Sequence, residues 1–304
     1  MEKRRRVINA DLVKELSFLG CKVLEGAPLY KYSSFKIGGN ADFLLEIPNE
    51  KALLFCLENI SAYRYMILGD GTNVLFSDNG YRGIIIRLIG EFRNIKTLQE
   101  VIVAGAGASL QQVLNNALKN NLVGLESVAG IPGTVGAAVY GNVGKRNEWI
   151  GTFVDNIEVY KDAKKKCLSK DQISFSYRKS NLEEEYVITK VKFLLKKDTK
   201  NDSLNMVNEN IHNRVLIQPL DMPNAGSIFK NPTGYSVGKL IEESNLKGFQ
   251  IGGAKISNKH GNFIVNTGQA TSKDVLALIN LIKEKIKLKF NITLETEVKI
   301  INDK

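Results

Sequence analysis

The chain has 304 residues, a net charge of +10, three cysteines and two histidines, a length that allows one large or two to three small domains with an ample core. Cys21, Cys56 and Cys167 are widely spaced and lack a CxxC pairing, so neither a disulfide framework nor a zinc site is signalled, and two histidines speak against a protein metal centre. The basic residues cluster only at Met1-Glu2-Lys3-Arg4-Arg5-Arg6 and Lys164-Lys165-Lys166, which argues against nucleic acid as partner, while a positive field equally suits a polyanionic nucleotide. Asp11, Lys14 and Glu15 interrupt what would be the apolar core of a signal peptide, and no stretch has the length of a membrane span. The expectation is a soluble protein of a reducing, cytoplasmic compartment.

In chain order, residues 8–20 predict an amphipathic helix with Leu12, Val13, Leu16 and Leu19 on one face and Gly20 as its stop. Gly38-Gly39 predicts a turn and residues 41–47 a strand. Asn49 is placed to cap a helix through Ile60, and residues 65–68 read as the next strand. Further strands are expected over 83–88 and 101–105, and Ser109 opens a helix to Asn121. Strands over 156–160 and 186–195 flank a loop at 175–180. The polar run 196–203 is a domain boundary, followed by helices over 204–215, 236–246 and 272–290. A closing strand, 292–301, puts Ile292, Leu294, Val298 and Ile300 on one face and Glu295, Glu297 and Lys299 on the other. The irregular alternation of strands and helices indicates an α+β fold rather than a doubly wound sheet.

Two stretches within this frame invite chemistry. Gly69-Asp70-Gly71-Thr72-Asn73-Val74 follows a strand directly, but lacks the third glycine of a dinucleotide fingerprint and the Gly-Lys-Ser/Thr of a phosphate loop. It reads as strand, tight loop, strand. The stretch from Gly124 to Gly144, GLESVAGIPGTVGAAVYGNVG, is rich in glycine and alanine and carries almost no bulky side chain. A backbone so stripped brings successive N–H groups within reach of an anion, with a short helix after Pro132-Gly133 beside them. Either run alone fits a tightly packed turn as well as a pyrophosphate cradle.

GDGTN after a strand, GIPGTVGAAVYGN after a helix and AGSIFKNP opening the last third occur here in order. Together they closely resemble the UDP-N-acetylenolpyruvoylglucosamine reductase (UDP-N-acetylmuramate dehydrogenase) family, from about Tyr32 to Ile301. The resemblance implies a vanillyl-alcohol-oxidase-type α+β fold: a lead-in over 1–30, an FAD-binding domain of two subdomains over 31–197, and a substrate-binding domain over 198–304. It implies that FAD is held without a covalent bond by Gly38, Gly39, Gly69, Asp70, Gly71, Thr72, Asn73, Val74, Gly130, Ile131, Pro132, Gly133, Thr134, Gly136 and Asn142. Arg178 matches the family's active-site arginine, Ser227 its proton-donating serine and Glu297 its C-terminal glutamate. Lys230 and Asn231 stand as substrate contacts, as does His260, which fits a satisfied core histidine equally well. Asp70 in the phosphate loop, Ala137-Ala138, Gly144-Lys145-Arg146-Asn147 and Gly261 depart from the family pattern. The strand expected from Tyr186 leaves no room after Arg178 for an inserted lid, so the chain resembles the shorter branch of the family.

The implied reaction reduces UDP-N-acetylglucosamine enolpyruvate to UDP-N-acetylmuramate, a peptidoglycan precursor, with NADPH as electron donor and hydride delivered from the flavin. Negative charge develops on the enolpyruvyl carboxylate, where the bidentate fork of Arg178 suits it. Ser227 would supply the proton, for which position matters more than acidity. Two other readings stand beside this one: a different flavin oxidoreductase on the same fold, and a non-enzymatic nucleotide-binding protein. The first usually wants a histidine near the flavin, and the second wants clustered basic and aromatic residues. The chain offers only His212 and His260, outside the glycine-rich runs, and one tryptophan.

Overall fold

Helices begin where local chemistry caps them. In the computed structural model, which describes residues 8–145 and 148–302, Asn9 accepts from Leu12 N–H before helix α1 (Ala10–Phe18). Asn49 does the same for Ala52 before α2 (Glu50–Ile60). The basic residues Met1 to Arg6, and Arg146-Asn147 of the unusual turn, lie outside the described residues. Both helices lay an apolar stripe inward, Leu12 and Leu16 on α1 and Leu53, Cys56, Leu57 and Ile60 on α2.

The chain divides into two units. The first comprises residues 1–27, 42–69 and 83–210; the second comprises 28–41, 70–82 and 211–304. This differs from the contiguous division expected from composition. The runs carrying Gly38-Gly39 and Asp70 to Val74 pack with the C-terminal third, and the boundary falls inside helix α5 (Ser203–Ile217) rather than in the polar run before it.

One sheet of the first unit orders Lys22–Pro28, Asn40–Ile47, Tyr81–Leu88 and Tyr65–Ile67, the last pair parallel. The other is antiparallel throughout, in the order Lys164–Ser169, Val154–Lys161, Val187–Leu194, Val101–Gly105 and Ile95–Leu98. Helices α3 (Leu110–Lys119) and α4 (Val135–Tyr140) belong with it. Largely antiparallel pairing with helices interspersed irregularly among the strands makes the fold α+β.

The second unit gathers Val237, Leu240 and Ile241 of α6 (Val237–Glu243) and Val275, Leu278, Ile279, Ile282 and Ile286 of α7 (Ser272–Phe290) into one core. A small sheet of Gln250–Ile251, Ala254–Ile256 and Ile264–Asn266 lies with them. The expected closing strand is shorter than its alternation suggests. Only Lys299–Ile301 is strand, parallel to Val74–Phe76, while Thr296 makes an isolated bridge to Phe229 and the stretch before it is irregular. The expected alternation in burial holds in part: Leu294 and Val298 are buried and Glu295 and Lys299 exposed, while Ile292, Glu297 and Ile300 are all half-buried. Among the described residues no helix is long and apolar enough to cross a membrane, and no group of His, Cys, Asp and Glu is placed to hold a metal ion.

Candidate active site

The glycine-rich stretch does two jobs in the first unit. Residues 133–136 run antiparallel beside residues 106–110: Leu110 N–H donates to Gly133 O, Val135 N–H to Ala108 O and Gly136 N–H to Ala106 O, each at 2.9 Å. Gly136 is required by that approach, since a Cβ there would stand 2.9 Å from the Ala106 methyl. The pairing leaves the N–H groups of Gly133 and Thr134 with no hydrogen bond among the described residues. Ile131 N–H is engaged by Val128 O, Gly130 N–H points at Gln111 Oε1 at 3.4 Å, and Pro132 has no N–H. The structure also brings Gly69, from the other glycine run, against this spot: a Cβ on Gly69 would lie 2.5 Å from Thr134 Oγ1. A dinucleotide pyrophosphate needs N–H donors and no opposing carboxylate. The N–H groups of Gly133 and Thr134 are of that kind, and no acidic residue occurs between Ser127 and Glu148.

Arg178 sits on a hairpin where the sequence predicts a loop. Phe175–Ser176 pairs with Lys179–Ser180, so Tyr177-Arg178 form the two-residue turn. Arg178 takes φ +56°, the left-handed region that a non-glycine side chain enters at a cost of about 1 kcal/mol. Its Nη1 donates to Gly144 O at 3.0 Å, and its guanidinium stands 5.5 Å from the centre of the Tyr177 ring, which in turn lies 6.3 Å from Trp149. Residues 181–186 alone separate the hairpin from the next long strand, so no lid is inserted there.

Ser227 and Glu297 are brought together within the second unit. Asn224 forms a side-chain turn, its Oδ1 accepting from Gly226 N–H at 2.9 Å, and delivers the chain to Ser227. The next two residues, Ile228 and Phe229, are fully buried in the core and hold Ser227 at its edge, half-buried. Glu297 N–H donates to Ile228 O at 2.8 Å and Lys230 N–H to Glu295 O at 2.9 Å, so the serine and the glutamate lie on adjacent extended chains. Lys230 pairs through its side chain with Glu295, and Asn231 Oδ1 accepts from Val237 N–H at 2.9 Å, capping α6. His260 Nδ1 accepts from Asn262 N–H at 3.2 Å, which leaves the ring proton on Nε2; burial holds its pKa below the usual histidine range.

The loop from Asp70 to Val74 belongs to the same unit. Asn73 faces the C-terminal strand, its Nδ2 donating to Glu297 O at 3.2 Å while its own carbonyl accepts from Lys299 N–H at 3.0 Å. A side chain expected as a phosphate donor therefore fastens the C-terminal segment that carries Glu297. Asp70 is exposed. The glycines here serve chain-on-chain packing: a Cβ on Gly71 would lie 2.0 Å from Tyr32 O, and one on Gly39 2.3 Å from Asp78 O, while Gly39 N–H already donates to Ser77 O.

Sequence reasoning missed Asn262, and it expects Asn142 as a cofactor contact rather than as a residue that fastens these segments. Asn262, 4% exposed, accepts from Phe229 N–H at 3.0 Å and donates to Phe229 O at 2.8 Å, acting as a strand partner made of one side chain. Asn142, completely buried, accepts from Gly151 N–H at 3.1 Å and donates to Ser176 O at 2.8 Å. The available signal was asparagine beside glycine or inside an apolar run, where a polar side chain needs buried partners.

Residues 218–301 match the family model described as UDP-N-acetylenolpyruvoylglucosamine reductase, C-terminal domain, and residues 50–161 match an FAD binding domain model. A UDP-N-acetylenolpyruvoylglucosamine reductase of Caldanaerobacter subterraneus is 40% identical over 98% of this chain and 99% of its own. One of Bacillus pumilus is 38% identical over 93% and 95%. A crystal structure of UDP-N-acetylenolpyruvylglucosamine reductase from Thermus caldophilus superposes with a TM-score of 0.80 at 35% identity, over 92% of this chain and 98% of that one.

Proposed function

We proceed from the fact that this chain belongs to the UDP-N-acetylenolpyruvoylglucosamine reductase family, an FAD-dependent oxidoreductase of peptidoglycan precursor synthesis, and propose that Arg178, Ser227 and Glu297 divide its chemistry. Bound FAD supplies a hydride to the enolpyruvyl double bond. Gly133 and Thr134 offer the N–H groups for its pyrophosphate, with Gly69 keeping the approach to Thr134 open, and no histidine stands in either glycine run to anchor it covalently.

Arg178 holds the substrate carboxylate and lowers the energy of the charge that develops there. The Gly144 carbonyl, accepting from Nη1, fixes the guanidinium whose planar fork suits a carboxylate. Ser227 delivers a proton to the neighbouring carbon. The observation that most supports this is the pinning of Ile228 and Phe229 from both sides, which fixes the backbone next to the one that carries the hydroxyl. Glu297 lies beside it as the orienting carboxylate. Lys230 and Asn231 support the substrate through the motif they belong to, and neutral His260 offers Nε2–H as a donor. NADPH is the electron donor in this reading, and the protein is cytoplasmic, where that donor and a nucleotide-linked substrate meet.

Ser227→Ala tests the assignment because it separates two stages. Bleaching of the yellow protein by NADPH should proceed near the parent rate, whereas return of colour on adding the enolpyruvyl nucleotide should slow by about a hundred- to ten-thousandfold. Stopped-flow absorbance records both. Unchanged recovery, or loss of the bleaching stage instead, would return Ser227 to an ordinary turn residue.

A further inference from the structure

We infer that Asn142 is the positioning residue for Arg178, holding the arginine hairpin in register through one buried amide rather than touching the cofactor. This rests on the reading of Arg178 given above. Three alternate residues, the last of α4 and two of the segment after it, each take hold of the hairpin. Tyr140 O accepts from Ser180 Oγ at 2.7 Å, Asn142 Nδ2 donates to Ser176 O at 2.8 Å, and Gly144 O accepts from Arg178 Nη1 at 3.0 Å. The middle bond starts from a fully buried side chain. Asn142 has no exposed surface, and its other end accepts from Gly151 N–H at 3.1 Å, so the amide has partners at both poles and cannot swing away.

The neighbourhood is shaped to this amide. A Cβ on Gly151 would fall 2.7 Å from Asn142 Oδ1 and 2.4 Å from the Phe175 ring, so glycine at 151 admits both the amide and the first residue of the hairpin. Asn142 itself takes φ +45°, a conformation asparagine tolerates better than most residues. Ser176 is the first residue of the turn whose third residue is Arg178. Fixing the Ser176 carbonyl thus fixes the start of the turn that holds Arg178 in its left-handed conformation. With the amide removed, Arg178 keeps its charge but loses its place.

The test uses the FAD-loaded enzyme in a double-mutant cycle. Asn142→Gly retains the left-handed backbone and removes both bonds. It should lower kcat on the order of ten- to a hundredfold with the flavin still bound, and raise hydrogen exchange in the peptide spanning residues 172–186 but not in the strand 187–194. In an Arg178→Ala background the same change should lower kcat less than twofold further. A purely structural role predicts equal losses in both backgrounds and would overturn the proposal, as would unaltered exchange in the hairpin. Arg178→Ala alone distinguishes the two levels: a near-parent rate sinks the arginine assignment itself, whereas a slow Arg178→Ala with an additive Asn142→Gly sinks only the inference about Asn142. Should Asn142→Gly not fold, Asn142→Asp retains the Gly151 bond and opposes a carboxylate to Ser176 O. It should show the same non-additive loss, and failure of both variants to fold would make Asn142 a folding residue and end the proposal.

Discussion

Arg178 carries a conformational burden that a solvated loop arginine would shed. A left-handed backbone at a side chain with a Cβ is held only when its surroundings over-determine it, and here the surroundings are a two-residue turn clamped to the segment after α4. This makes a stability signature that runs against ordinary propensity. Arg178→Gly and Arg178→Ala both remove the guanidinium and should both slow turnover on the order of a hundred- to a thousandfold. In thermal melts, however, the glycine variant should be the more stable of the two by about 1 kcal/mol, because only glycine enters the left-handed region without steric cost. Equal stability of the two, or a more stable alanine variant, would mean that the turn relaxes out of that conformation.

At the scale of elements, Asn262 stands to the Ser227 segment as Asn142 stands to the Arg178 hairpin. Phe229 N–H and C=O are both answered by one side chain, and Ile228 N–H by the Asn262 carbonyl at 2.9 Å. Asn262→Ala leaves a buried donor and a buried acceptor without partners, each worth about 1–3 kcal/mol, so urea unfolding should report a loss of about 2–6 kcal/mol. A change under about 0.5 kcal/mol would mean that the segment is held from the Glu297 side alone. These fastenings explain what the sequence made legible. Helices followed from caps and stripes: Asn49 before α2, and the 272–290 period of α7, whose Thr271–Asp274 capping box closes its start. The two glycine runs were visible as runs, and their meeting at Gly69 and Thr134 followed the resemblance. The roles of Asn73, Asn142 and Asn262 were not visible, because each depends on a partner brought in by tertiary packing, in the case of Asn73 a carbonyl 224 residues away. The arginine hairpin has no Asn-Gly or Asp-Gly signal, since its left-handed position is filled by Arg178.

The second unit is assembled from three separated stretches of chain, and each of the two shorter ones brings structure that the longest lacks. Phe35 and Ile37 from the first stretch and Leu75 from the second are almost wholly buried in the core that α6 and α7 line. Lys299–Ile301 finds its only strand partner among the described residues in Val74–Phe76. Asp78 binds the start of α7, accepting from Ser272 N–H and Ser272 Oγ at 2.8 Å each and from Lys273 N–H at 3.3 Å. Asn266 donates to Phe35 O at 3.0 Å, and Ser34 Oγ to the carbonyl of Asn224, two residues before the turn glycine at 226. A fragment starting at residue 211 spans the whole of the matched C-terminal family model yet has none of these partners. Burial of the three apolar side chains alone contributes roughly 4–9 kcal/mol, comparable with the entire stability of a small domain. The fragment 211–304 should therefore give no cooperative urea transition and no fixed aromatic near-ultraviolet circular dichroism, while the full chain gives both. A sharp transition from the fragment would show that the C-terminal stretch carries its own core, and that the first two stretches dock on it without being needed for its fold.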